Sequence, residues 1–139
     1  MKFTPYLSFN GQCEEAFKFY ESCFHGTIAF MMKYGDSPMA AQTPEELKNR
    51  VMHVTLHVGP LMLQGADAPP QFFSKPQGFS ISVELDDVAE AERIYAELSK
   101  GGDVKMALQQ TFWALRFAMV IDRFGQPWMI NCNVSPSAS

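Results

Sequence analysis

The chain has little of what would point to several large classes of function. Its 139 residues contain three cysteines, Cys13, Cys23 and Cys132, with no Cys-x-x-Cys pair among them. A disulfide scaffold is therefore not expected, and reduced, buried thiols are. Lys and Arg number 11 against 15 Asp and Glu, a net charge of −4, so the basic stripe that nucleic acid requires is missing. No apolar run approaches the roughly 18 residues of a membrane-spanning helix. A single early Lys2 is followed by no hydrophobic signal region, and a cytoplasmic protein is expected. What is there is globular: 47% hydrophobic and 19% charged residues, enough for one domain over 1–139 with a real core.

The order of patterns occurs twice. Residues 3–64 and 79–131 each read as a strand, an amphipathic helix and three more strands. In the first copy Phe3, Leu7 and Phe9 fall on one face and Thr4, Tyr6 and Ser8 on the other, the period of two of a half-buried strand. Over 12–24, Ala16, Phe17, Phe19, Tyr20 and Phe24 recur at helical spacing, and His25-Gly26 supplies the stop, with glycine suited to the left-handed position. His25 beside that stop reads as a C-terminal cap interaction. Strands are predicted over 27–32, 51–58 and 61–64. Between them, residues 35–49 form a polar excursion in which Thr43-Pro44-Glu45-Glu46 predicts one short capped helix on a loop able to cover a site.

A proline-rich connector, 65–76, separates the copies. The second predicts a strand over 79–85 and a helix over 87–100 bearing Val88, Ala91, Ile94, Tyr95 and Leu98 on one face, stopped by Gly101-Gly102. Strands follow over 104–111, 113–121 and 127–133, and the tail 135–139 should be loose. The expectation is an α+β fold of paired βαβββ modules, 3–66 and 77–133, whose sheets curl into a cup.

Particular phrases resemble a known family. Pro5-Tyr6-Leu7-Ser8-Phe9-Asn10-Gly11, Phe19-Tyr20 at the end of the helix, Thr111-Phe112-Trp113-Ala114 and Asp122-Arg123-Phe124-Gly125-Gln126-Pro127-Trp128-Met129-Ile130-Asn131 are similar to PhnB-like proteins. These belong to the vicinal oxygen chelate superfamily with glyoxalase I, bleomycin-resistance proteins and extradiol dioxygenases, and the similarity spans about residues 3 to 132. The resemblance implies the paired-module fold, and a homodimer, since relatives commonly assemble as one. A demethylubiquinone methyltransferase label, often given to such proteins, finds no glycine-rich strand-to-helix turn with an acidic residue downstream, and reads as an inherited misnomer.

The superfamily's metalloenzymes carry His and Glu ligands on the first and fourth strands of each module. Matched by strand phase, those places hold Thr4 (or Pro5), Met62, Ser80 and Met129, none a convincing ligand for a hard or borderline divalent ion. No metal and no other cofactor is expected. His53 and His57 share a face but lie roughly 13 Å apart, too far to hold one ion directly. Two readings of His53 stay open: a partner of Gln64 or Glu84 across the cup, or a lone cavity or surface histidine.

If the apolar faces pack on the helices, Tyr6, Ser8, His53, Thr55, Met62, Gln64, Ser80, Ser82 and Met129 line the cup. The phase of 113–121 is open: either Trp113 and Phe117 or Phe112 and Arg116 point inward. Hydroxyls, aromatics and thioethers with few charges suit a small, partly apolar or aromatic ligand, unless they merely fill the space between the sheets. Asp122 in its turn reads as structural, and Trp128 as packing under the helix. Three functions stay in view: metal-independent small-molecule binding, with Tyr6, Ser8, Met62, Gln64, Ser80, Trp113 and Met129 as contacts; an enzyme of the superfamily using His53 as general base or ligand; or a purely structural role.

Overall fold

The computed structural model describes residues 1–134; the tail predicted to be loose lies outside them. The chain forms two compact units, the first Met1–Ser74 and the second beginning at Lys75. In the first, β1 (Tyr6–Phe9), α1 (Cys13–Cys23), β2 (Thr27–Lys33), β3 (Val51–Val58) and β4 (Leu61–Asp67) follow in order. In the second, β5 (Ile81–Leu85), α2 (Val88–Ser99), β6 (Asp103–Gln109), β7 (Ala114–Ile121) and β8 (Pro127–Val134) repeat it. The sheets run β1-β4-β3-β2 and β5-β8-β7-β6, with β1 parallel to β4, β5 parallel to β8 and every other pairing antiparallel. The architecture is α+β, two βαβββ modules, as the repeated pattern predicts.

Each sheet is sided by its alternation. Leu7 and Phe9 of β1, Val54 and Leu56 of β3 and Leu63 of β4 are buried together with Ala16, Phe17, Tyr20 and Cys23 of α1. Phe17 meets Phe9 and Tyr20 edge-on at 6.0 and 5.5 Å between ring centroids. Gly65 of β4 makes room for that ring, because a Cβ there would come within 2.7 Å of Phe17 Cε1. In the second module Ala91, Ile94 and Leu98 of α2 are buried with Ala118, Val120, Trp128, Ile130 and Cys132 of its sheet. Trp128 is therefore a packing residue, as its strand phase requires.

The two helices are started differently. Asp87 caps α2 through its own carboxylate, accepting from the backbone N–H groups of Ala89 and Glu90 at 3.0 and 3.3 Å. Gln12, before α1, makes no side-chain cap bond. Instead Asp67, at the end of β4, reaches over: Oδ1 accepts from Gly11 N at 2.7 Å and Cys13 N at 3.1 Å, and Oδ2 from Val51 N at 2.9 Å. The carboxylate is buried at the positive end of α1, where a helix start leaves N–H groups unpaired.

Several local expectations are corrected. The left-handed residue after α1 is His25, at φ 55°, and not Gly26. Gly26 N donates to Glu21 O at 2.9 Å, closing a Schellman turn around it. Glycine is needed at 26 because a Cβ would fall 2.6 Å from the His57 carbonyl oxygen. Gly102, the residue before β6, stands likewise, with a Cβ at 2.4 Å from the Ile121 carbonyl oxygen.

The predicted helix at 43–46 is a single 3-10 turn, Glu45–Leu47. The Thr43 hydroxyl does not cap it but donates to the Met39 carbonyl at 2.8 Å. Strand pairing begins later than alternation suggests, at Tyr6 rather than Phe3 and at Ile81 rather than Phe79. Phe3 and Phe79 are both exposed, so no buried face holds those segments in the ladder.

Candidate functional site

The face of the first sheet opposite α1 carries polar side chains in register. Tyr6 pairs with Gln64, Gln64 with Thr55 and Thr55 with Phe30, one row across β1, β4, β3 and β2. Ser8 pairs with Ala66 and Met32 with His53 on one side of that row; Met62 pairs with His57 and His57 with Thr27 on the other. Alternation puts all of these on the face that α1 does not cover. Tyr6, Ser8, His53, Met62 and Gln64 thus lie where their strand phase predicts.

Hydrogen bonds join three of them, Tyr6, His53 and Gln64, through Thr55. Tyr6 Oη lies 3.0 Å from His53 Nδ1, and His53 Nε2 lies 3.0 Å from Thr55 Oγ1. The Gln64 amide donates to the same Thr55 oxygen at 3.3 Å. Exposure falls along the chain, from 50% at Tyr6 to 8% at Thr55. The rings of Tyr6 and Phe30 flank His53 at 5.7 and 6.0 Å between centroids, and Phe30 is itself exposed. Partial burial, reinforced by the neighbouring Cys13 and Tyr34, pushes the Tyr6 hydroxyl above its ordinary pKa, so it is a proton donor at neutral pH. The arrangement can bind an acceptor atom beside an aromatic ring, and it holds an imidazole by both nitrogens.

The second module's open face differs. Ser82 pairs with Met129 and Met129 with Met119; Glu84 pairs with Asn131 and Asn131 with Phe117. The Asn131 amide donates to Ser82 Oγ at 2.7 Å. Trp113 meets Phe117 edge-on at 5.1 Å, and Phe112 meets Trp113 at 4.8 Å. The open phase of this strand is thereby decided for Trp113 and Phe117. Arg116 pairs with Cys132 on the helix side, its guanidinium 3.9 Å from Glu92 of α2. Ser80 stands just before β5, outside the ladder. Asp122 is structural: it accepts from Phe124 N, Gln126 N and Trp128 Nε1 at 2.9, 3.0 and 2.9 Å.

Two contributors escape the sequence reading. Phe30 reaches the first face because β2 is bulged between Ile28 and Phe30, and a bulge leaves no mark in simple alternation. Asn131 could have been found, since it lies two residues from Met129 and so on the same side of β8.

The resemblance puts metal places on the first and fourth strands of each module. Register equates Gln64 with Met129, each opposite the β1 or β5 residue of the open face, and sets Met62 opposite His57 where Pro127 is set opposite Ile121. The strand-phase match is thereby corrected: Tyr6, Gln64 and Ser82 take the places expected for Thr4 (or Pro5), Met62 and Ser80 beside Met129, and none of the four offers a carboxylate or imidazole of its own. Met62 Sδ accepts from the Lys2 ammonium at 3.5 Å, a cation where a second cation would be repelled. These residues do not fit a hard or borderline divalent ion. Among the described residues no group of three His, Cys, Asp or Glu side chains could hold a metal ion, and no helix is long and apolar enough to cross a membrane.

Residues 1–131 match the family model described as 3-demethylubiquinone-9 3-methyltransferase. The chain is 31% identical to Protein YjdN of Escherichia coli (strain K12), with 94% of this chain and 95% of that protein covered. Among solved structures, protein PA1353 from Pseudomonas aeruginosa is 44% identical at a TM-score of 0.88, covering 95% of this chain and 97% of that one. A PhnB protein from Bacillus cereus is 22% identical at a TM-score of 0.80, covering 95% and 99%. A glyoxalase/bleomycin resistance protein/dioxygenase family enzyme from Burkholderia phytofirmans PsJN, 10% identical at a TM-score of 0.64 with 94% and 97% covered, shares the fold alone.

Proposed function

The chain belongs to the PhnB-like family described as 3-demethylubiquinone-9 3-methyltransferase, and from that premise we propose that it is a small-molecule-binding protein working without the superfamily's metal. The observation that carries the reading is the linked row Tyr6–His53–Thr55–Gln64 on an open sheet face. A face meant only for packing would be apolar, and a solvated one would carry loose charges. This one holds polar groups fixed against one another beside the exposed rings of Tyr6 and Phe30, the composition of a site for a small, partly aromatic ligand. Ser8 and Met62 extend that face; Met129 and Trp113, with Ser80 at its margin, offer a more apolar one in the second module. The proposal includes a cytoplasmic homodimer, the assembly being the one that the family resemblance implies.

The test is a library of water-soluble aromatic fragments, read by amide and side-chain NMR shifts. Shifts concentrated on Tyr6, Phe30, His53 and Gln64 are expected. A library that moves no resonance of either open face would end the reading. Saturable binding of S-adenosylmethionine by calorimetry would replace it with the methyl transfer of the family description.

A second reading is favoured by the two hydrogen bonds that orient His53: an enzyme of lyase, isomerase or transferase type with His53 as general base acting through the Tyr6 hydroxyl, which requires the Tyr6 proton to point at Nδ1. Loss of turnover in His53→Ala is its expected outcome, and an activity unchanged in that variant would dismiss it.

A further inference from the structure

The hydrogen-bonded row has a direction. Among the described residues two groups lie within hydrogen-bond distance of Thr55 Oγ1: His53 Nε2 and the Gln64 amide nitrogen. The amide is a donor, so it occupies an acceptor lobe of the hydroxyl and offers nothing to the hydroxyl proton. Thr55 is buried, and a buried O–H without an acceptor is costly. Its proton therefore goes to His53 Nε2, which must be the unprotonated nitrogen of the neutral imidazole. The ring proton then sits on Nδ1 and is donated to Tyr6 Oη. Tyr6 is left with its own O–H directed away from the row.

We propose that Gln64, Thr55 and His53 form a one-way relay that turns the Tyr6 hydroxyl outward as the donor of this face, so that it selects ligands bearing an oxygen acceptor on or next to an aromatic ring. The proposal rests on the binding role given above and adds the class of ligand and the protonation pattern. Every bond in the row donates in the same sense, from Gln64 to Thr55 to His53 to Tyr6, and bonds so aligned polarise one another. The last donor is the strengthened one. Tyr6 lies at the exposed end with the His53 ring beside it, and the Phe30 ring stands against His53 in turn, so these rings can receive the aromatic part of the guest. A carbonyl, carboxylate or phenolate oxygen fits the hydroxyl; a ring lacking an acceptor leaves the donor unpaired. In this scheme Thr55 and Gln64 are positioning residues, since they act through His53.

The experiment uses the whole protein, 15N-labelled, with the three histidines assigned from single His→Gln variants. Two-bond 1H–15N correlations report which ring nitrogen of His53 carries the proton. The Nδ1–H form is expected in the ligand-free protein, and Thr55→Val should release it to a mixture of forms. Acetophenone and α-methylstyrene, which differ by C=O against C=CH2, are then titrated. Acetophenone should bind about three- to tenfold more tightly, the worth of one net hydrogen bond, and Tyr6→Phe should erase the difference.

An Nε2–H form in the unliganded protein would overturn the relay even if both compounds bound. Equal affinity for the two compounds would overturn the selection of an acceptor while leaving the binding role intact. Failure of both to bind would overturn the binding role and the selection with it, and the ring-proton measurement would still decide the direction of the row.

Discussion

Replacing Asp67 with alanine should cost the protein about 3 kcal/mol, and the figure can be built from the bonds that the carboxylate holds. Three backbone donors end on it, Gly11 N, Cys13 N and Val51 N. The bond to Gly11 is only partly buried, so water can replace it at little loss. The other two are buried, and each orphaned N–H costs about 1–3 kcal/mol. Releasing a buried carboxylate from desolvation returns part of this, which brings the sum of two such losses to about 3 kcal/mol. For a domain of this size that corresponds to a fall in Tm of roughly 10 °C. Asp67→Asn should lose less, about 2 kcal/mol, since one oxygen survives while the amide sets a donor against a donor.

Urea titration followed by far-ultraviolet circular dichroism gives the free energies. Amide hydrogen exchange locates them, with Gly11, Cys13 and Val51 losing protection before the rest of the sheet. A loss below about 0.5 kcal/mol in the alanine variant, the range of an ordinary surface change, would refute the assignment of Asp67 as the remote cap of α1.

Two further expectations come from the packing, and a third from the proposed assembly. Burial first, then the charges of Asp67 and Glu14, drive the Cys13 thiol far above its ordinary pKa; burial, then Asp86 and Asp87, raise that of Cys132. Above about pH 8.5 the unfolded thiols ionise while the folded ones do not, so stability is complete below that pH and declines as pH rises, by at most about 1.4 kcal/mol per pH unit for each group. Urea midpoints between pH 7.5 and 10 should show the decline, and Cys13→Ala should flatten it; an unaltered slope would disprove the cause. Gly26→Ala and Gly102→Ala each force a Cβ against a strand carbonyl and should cost about 1–3 kcal/mol by chemical denaturation, whereas Gly59→Ser, with open space around it, has only its φ of 57° to accommodate. Light scattering after size exclusion should return twice the chain mass, and a monomer at micromolar concentration would remove the homodimer from the proposal.

Much of this was legible because a sheet with one covered face imposes a strict period. Once Leu7, Phe9, Val54 and Leu56 are assigned to the helix side, Tyr6, Ser8, His53, Thr55 and Gln64 have nowhere to go but the other. The helices were legible for the same reason, Phe17 and Tyr20 or Ala91 and Leu98 recurring on one stripe. What alternation cannot show is an interruption of itself, and the β2 bulge that brings Phe30 to the face is one. Nor can it show a partner distant in sequence: Asp67 caps a helix 54 residues before it. At His25 a preference misled, because glycine was required at 26 for clearance rather than for a positive φ. Which proton sits on which atom of the Tyr6–His53–Thr55 row depends on distances that no pattern encodes.

Asp67 also bears on how this protein can vary. The polar excursion leaves the sheet at Tyr34 and returns at Val51, and its ends are stitched by Tyr34 N to Arg50 O and Gly35 N to Lys48 O. Both ends are fastened to Asp67 as well, the Tyr34 hydroxyl on its carbonyl at 2.9 Å and Val51 N on its carboxylate. The closure of the loop is thus settled at its root, and lengthening the segment beyond that root adds only a slowly growing entropic term. Residues 38–47, beyond the buried Ser37 that is bonded to the Tyr34 carbonyl, are therefore expected to tolerate shortening, extension or replacement better than the strands they join. Divergence among relatives, or an engineered insertion, can be accommodated there while the row on the neighbouring face keeps its register.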